Sequence, residues 1–163
     1  MIRDPGKLPT VYLKPGEMYI SSNPTLVSTV LGSCVSVTMF NYRLKVGAIC
    51  HGLLPSFTTI DGCAYSRTND LDYVDQSIEK MFSLYETYGI KSSEIEVKLF
   101  GGADVLLHSR VASVGIQNVQ TAIQAIKSKG LNLISSSVGG ISGRRILFYT
   151  HTGEVFLKRL IKS

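Results

Sequence analysis

Residues Cys34 to Phe40 alternate without a break. Val35, Val37 and Met39 fall on one side, and Cys34, Ser36, Thr38 and Phe40 on the other. That period of two reads as a strand. Asn41-Tyr42-Arg43-Leu44 reads as a hairpin loop, and Lys45–His51 as the returning strand. A hairpin is not stable alone in water, so this pair requires further strands or helices laid on its apolar face.

The rest of the chain supplies them. Glu17–Ser22 and Thr25–Leu31 are short and β-prone, separated by Asn23-Pro24. A polar loop runs from Pro55 to Asn69. Asp72–Tyr88 then places Val74, Ile78, Met81, Phe82 and Tyr85 on one helical face, with Asp70 or Asp72 as candidate caps and Gly89 at its end. Ile95–Phe100 is a strand, and a second helix spans about Ile116 to Lys129, with Lys127 and Lys129 at its C-terminal end before Gly130. Leu131–Ser136, Arg144–Tyr149 and Glu154–Leu160 close the chain as strands. The expectation is one α+β sandwich domain over residues 1–163, with a mixed, largely antiparallel sheet system and two helices packed on it.

With 163 residues, 44% of them hydrophobic and 18% charged, the chain can bury one core and is too apolar to be disordered. Nothing at its start resembles a secretory signal and no apolar run is long enough to insert in a membrane, so a cytoplasmic protein is expected. The net charge of +5 favours acidic partners without naming one. The basic residues, among them Arg43, Lys45, Arg144, Arg145, Lys158 and Arg159, look dispersed in the sequence. With no Trp and no basic helix, nucleic-acid binding is not expected. No His/Asp/Glu cluster has metal-ligand spacing, so neither a metal nor a cofactor is expected. Gly101-Gly102 and Gly139-Gly140 follow no phosphate-loop pattern and read as tight turns; the Ser135–Ser137 run reads as a strand exit, and His108 and His151 as surface residues.

Three cysteines remain, an odd number with no CxxC spacing, which argues against a disulfide framework. If the hairpin is regular, Phe40 pairs with Lys45 and Cys34 with His51, which places thiol and imidazole across from one another with Cβ atoms roughly 4.5–5.5 Å apart. Such a pair has a chemistry. The imidazole takes the thiol's proton and later returns it to a leaving amine, and the backbone N–H groups around Gly32 and Ser33 can hold an oxyanion. A hydroxyl from the preceding segment is a candidate to orient the ring. The same pair also fits a small buried thiol beside a structural histidine. Cys50 falls on the opposite face, among Val35, Val37 and Ala48, and Cys63 has no evident base; both are read as non-catalytic.

These residues resemble the chemoreceptor glutamine deamidase family, CheD. The matching pieces are Leu31-Gly32-Ser33-Cys34, His51-Gly52-Leu53-Leu54-Pro55, Asp72-Tyr73-Val74-Asp75, Lys98 to Ala103, Val114-Gly115 with Asn118-Val119, Val138-Gly139-Gly140 with Gly143-Arg144-Arg145, and Thr152 to Val155. They run from about residue 14 to 159. The resemblance implies a cysteine hydrolase that converts glutamine side chains on the cytoplasmic helices of chemotaxis receptors to glutamate, with Cys34 as nucleophile and His51 as acid and base. It implies a third residue six positions before the cysteine. That is a threonine in the family and Ser28 here, with Thr29 next to it. At the second helix the family tends to an acidic-Arg-Asn sequence, where this chain has Ile116-Gln117-Asn118. The resemblance also implies docking to a CheC-type phosphatase; the alternative reading is an adaptor that stimulates such a phosphatase without catalysis.

Overall fold

The computed structural model describes residues 7–56, 69–104 and 113–161. Nine strands and two helices follow in the order β1 (Thr10–Tyr12), β2 (Met18–Ser21), β3 (Leu26–Leu31), β4 (Val35–Asn41), β5 (Val46–Cys50), α1 (Val74–Thr87), β6 (Ile95–Gly101), α2 (Val114–Ser128), β7 (Asn132–Val138), β8 (Arg144–Tyr149) and β9 (Val155–Arg159). They form a four-stranded sheet, β1-β3-β8-β9, and a five-stranded sheet, β2-β5-β4-β6-β7. Five of the seven pairings are antiparallel; β1 with β3 and β6 with β7 are parallel. The class is α+β, as the pattern of the sequence implies. β1, only three residues long, has no signal in that pattern.

The layers follow from the alternation of side chains. Val35, Val37, Met39, Ala48, Cys50, Val97 and Leu99 pack against Ile78, Met81, Tyr85, Ala122 and Ile126 of the helices. The opposite face of the same sheet, with Ile49 and Phe100, meets Val27, Leu31, Ile146 and Phe148 of the four-stranded sheet. The five-stranded sheet is therefore the middle layer, and β4 and β5 are buried along their whole length. Close approach of the layers sets local sequence. A Cβ at Gly47 would lie 2.4 Å from the carbonyl oxygen of Thr150, so only glycine lets that strand come so near.

Helix termini depart from expectation in two respects. Neither Asp70 nor Asp72 caps α1, whose N-cap is Tyr73 with no side-chain hydrogen bond. Both aspartates lie in a short 3-10 turn, Asp70–Asp72, capped by Asn69, whose side chain accepts from the N–H of Leu71. α2 begins two residues earlier than its apolar pattern suggests, because Ser113 accepts from the N–H of Ile116. Gly89 and Gly130 end the two helices with positive φ, as expected.

The hairpin is also shifted. Asn41 pairs with Val46 and Phe40 with Gly47, so the loop is Tyr42–Lys45 instead of Asn41–Leu44. The side chain of Asn41 explains this. Its Oδ1 accepts from the N–H of Leu44 at 2.8 Å, its Nδ2 donates to the Glu94 carbonyl at 2.9 Å, and Lys45 adopts a left-handed φ of 52°. Moving a four-residue loop by one position shifts the register by two. Every side chain keeps its face and slides past its expected partner.

Candidate active site

β3 ends in the four-stranded sheet and β4 begins in the five-stranded one, so Gly32-Ser33-Cys34 is the crossover between layers. Its carbonyls are pinned in sequence. Gly32 O accepts from the Ala103 N–H at 3.0 Å, Ser33 O from Asn118 Nδ2 at 2.9 Å, and Cys34 O from the Gly102 N–H at 2.9 Å. No acceptor among the described residues takes the N–H of Gly32 or Ser33. Gly101, with φ of 103°, brings its backbone so near that a Cβ there would lie 2.3 Å from Cys34 O. Asn118 is buried and donates its second N–H to Leu53 O at 3.0 Å, so one amide ties the Cys34 crossover to the segment after His51.

Cys34 is half-buried against Leu31, Phe100 and the rest of the inter-sheet core. Burial raises its thiol pKa above the ordinary value, a shift opposed by its own backbone N–H. His51 follows β5 and is held through its backbone: its N–H donates to Glu17 O at 3.1 Å and its carbonyl accepts from the Gly16 N–H at 2.8 Å. Val35 bridges Gly52, so in the ladder His51 stands opposite Ser36 and diagonal to Cys34, not directly across from it. Diagonal neighbours on one face of a sheet lie about 7–8 Å apart between backbone positions, still within reach of long side chains. The direct pairing expected from the sequence is thus replaced by a diagonal one, by the loop shift described above. Both residues face the seam between the sheets.

The ring is oriented by Thr29, not by Ser28. Thr29 Oγ1 lies 2.7 Å from His51 Nδ1 and 2.8 Å from the Leu13 carbonyl. A hydroxyl has one proton, and the carbonyl can only accept, so Thr29 donates to Leu13 and accepts from Nδ1–H. This network assigns the tautomer and leaves Nε2 with its lone pair. Nε2 is buried and has no hydrogen-bond partner among the described residues. Ser28 stands one residue away on β3, where side chains alternate. Val27, Thr29 and Leu31 point into the seam, and Ser28 pairs with Tyr12 and Leu147 in the outward row. Desolvation lowers the His51 pKa to about 4, against a smaller upward pull from the Glu17 carboxylate, so the ring is neutral at pH 7.

Cys50 sits in the helix-facing core with its pKa pushed up to about 12 by burial, which makes it inert. Cys63 and His108 lie outside the described residues. His151 is half-buried, with its Nδ1 enclosed and its ring edge-on to Tyr149, and is not the surface residue the sequence suggested. The Ser135–Ser137 run does not end a strand but continues β7 to Val138. No group of three or more metal-ligating side chains occurs among the described residues.

Two further residues had no weight in the sequence reading of the site. Asn118 was visible only as part of a pattern shared with a family. Arg144, 1% exposed, donates from Nη2 to Gly139 O at 2.7 Å, from Nη1 to Gly101 O and Ser142 O at 3.4 Å, and from Nε to Ser137 Oγ at 3.3 Å. Both stand in the family-matching pieces, which is the signal in the sequence that could have found them.

A half-buried thiol and, diagonal to it on the same face, a neutral imidazole whose tautomer a hydroxyl fixes are groups that a cysteine hydrolase can use. Known proteins make the assignment narrower. A family model described as CheD chemotactic sensory transduction matches residues 53–159. A protein of Geobacter sulfurreducens named probable chemoreceptor glutamine deamidase CheD 2 is 49% identical over 158 residues, 96% of this chain and 94% of that protein. Proteins named probable chemoreceptor glutamine deamidase CheD from Maridesulfovibrio salexigens and Oleidesulfovibrio alaskensis are 41% and 42% identical. The first alignment covers 93% of this chain and 92% of that protein, and the second 94% and 74%. The chain belongs to the CheD family. The family model begins just after His51; the relatives' alignments are long enough to include both Cys34 and His51.

Proposed function

We propose that this protein is a protein-glutamine deamidase that acts on chemoreceptors through Cys34, His51 and Thr29. The observation that carries the proposal is the Leu13–Thr29–His51 chain, which leaves Nε2 as an acceptor on the face that bears the thiol. Nε2 takes the Cys34 proton as Sγ attacks the carboxamide carbon of a glutamine side chain. The N–H groups of Gly32 and Ser33 are the donors for the oxyanion that forms, a contribution of about 2.7–4 kcal/mol per donor in comparable sites. The imidazolium then gives its proton to the amine, C–N breaks, ammonia leaves and a thioester remains. Water, deprotonated by Nε2, attacks the thioester; the C–S bond breaks, glutamate is released and Cys34 regains its proton.

A neutral thiol and a neutral ring in the resting state suit this order, in which proton transfer accompanies attack. Thr29 takes the place the resemblance gave to Ser28. Action on the cytoplasmic part of a receptor places the protein in the cytoplasm; no helix among the described residues is long and apolar enough to cross a membrane. Incubation with receptor cytoplasmic fragments should release ammonia and convert discrete glutamines to glutamates, a mass gain of about 1 Da each, and Cys34→Ala should reduce this to background. Undiminished deamidation by Cys34→Ala overturns the proposal. Docking to a CheC-type phosphatase, which the family resemblance implies, is a separate property. If it is independent of the chemistry, Cys34→Ala stimulates the phosphatase in full.

A further inference from the structure

The cations that look scattered in the sequence are gathered by the sheet. In the β8–β9 ladder Arg144 stands directly opposite Arg159, and Arg145 directly opposite Lys158. Like charges in directly opposed positions destabilise a sheet, and here two such pairs are consecutive. Arg144 is the more constrained. It is buried, all its hydrogen bonds go to carbonyls and one hydroxyl, and burial and then the charge of Arg159 lower its pKa. Neither Arg144 nor Arg159 pairs with a carboxylate among the described residues.

The two guanidinium groups face one space. A Cβ at Gly140 would lie 4.0 Å from Arg144 Nη2 and 4.0 Å from Arg159 Nη1, and Gly140 has a φ of 73° that only glycine adopts easily. Four of the five Arg144 N–H donors are used, which leaves one on Nη2, and Arg159 has no side-chain partner among the described residues. This space is joined to the Cys34 segment across β6. Arg144 holds Gly101 O, and Gly101 packs on Cys34 O. Ile141, 58% exposed, stands on the same turn as an apolar contact for an incoming chain.

We propose that the exposed Arg159, with the buried Arg144 behind it, forms a carboxylate-binding rim across β6 from Cys34, which holds an acidic side chain of the protein substrate while its glutamine occupies the site. The proposal rests on the deamidase reading for the nature of that substrate. A planar carboxylate matches the forked donors of the exposed Arg159 guanidinium and relieves its repulsion with the buried Arg144. The rim thereby selects glutamines that have an acidic neighbour at a fixed distance along the substrate.

Binding to the Cys34→Ala protein tests this without turnover. The probes are fluorescein-labelled, helix-forming peptides with one glutamine, in which a Glu or an Ala stands one, three, four or seven residues to either side. At one offset or more, the Glu peptide should bind about five- to twentyfold more tightly than its Ala partner, and 0.5 M NaCl should compress that gap. Arg159 is exposed and has no side-chain partner among the described residues, so an Arg159→Gln change added to Cys34→Ala should fold normally. It should bring the gap within twofold and leave the Ala peptide's affinity unchanged. If no offset gains more than twofold, if no peptide binds, or if the gain survives Arg159→Gln, the proposal is overturned. The deamidase reading fails by a different result, the absence of ammonia release from receptor fragments by the unaltered protein.

Discussion

The two faces of the five-stranded sheet are built from the same strands and serve opposite ends. On the helix side, Val35, Val37, Met39, Ala48 and Cys50 make an apolar core in which a thiol is one more small hydrophobe. On the other side, Ser36, Thr38, His51 and Cys34 meet a second sheet, and polar groups there are held by partners, as His51 Nδ1 is by Thr29 Oγ1 at 2.7 Å. Ser36, for example, donates to Cys50 O at 2.6 Å. Cys50 and His51 are adjacent in the chain and lie in different layers. One step of a period-two strand decides whether a reactive group is silenced by burial or given a partner.

Substitutions at the seam should cost the most activity. His51→Gln removes the base and should lower the deamidation rate by about 10²–10⁴-fold, with folding retained, as read by ammonia release and by circular dichroism. A loss under threefold would mean that the seam is no more reactive than the core. Thr29→Val comes next. It keeps the shape but frees Nδ1 and leaves the Leu13 carbonyl without its donor, so kcat should fall about tenfold or more. Thr29→Ser should recover most of it, and Ser28→Ala, on the outward row, should change kcat less than twofold. A larger effect of Ser28→Ala than of Thr29→Val would reverse the assignment of the orienting hydroxyl.

The pH dependence of stability separates the faces in another way. His51 has a folded pKa of about 4 against about 6.5 when unfolded, so between these values the unfolded chain binds more protons. Its contribution is fully present above pH 6.5 and is lost as pH falls from 6.5 towards 4, a change of roughly 3 kcal/mol in that window. Urea titrations from pH 4 to 8 should show that slope, and His51→Gln should flatten it. The smallest effect belongs to the helix side. Cys50→Ala should cost about 1 kcal/mol of stability and leave activity and the alkylation rate of Cys34 within twofold. An equal loss of alkylation from Cys50→Ala and Cys34→Ala would show that the core thiol is accessible after all.

Most strands and both helices could be read from hydrophobic period, because the middle sheet imposes it on every residue it buries. Register could not, because Asn41 closes the turn with its own side chain and nothing in the alternation reports where a loop begins. The same limit explains the orienting hydroxyl. Ser28 and Thr29 have the same functional group, and only the strand's facing, set by Val27 and Leu31 in the seam, tells which one meets His51. The cations of β8 and β9 are separated by more than ten positions in the chain and become neighbours only through pairing.

The Thr29 hydroxyl proton ends on a main-chain oxygen of Leu13, which follows β1. That strand is held in parallel register by Tyr12 against Ser28. Any side chain at position 13 offers the same oxygen, so the polarity of the base is insulated from substitution there. It is not insulated from displacement. A one-residue slip of β1 along β3 would leave cysteine and histidine in place, release the hydroxyl to donate to the ring and turn Nε2 from acceptor to donor. The shortest strand of the molecule thus acts as the catch that decides which way a proton can flow.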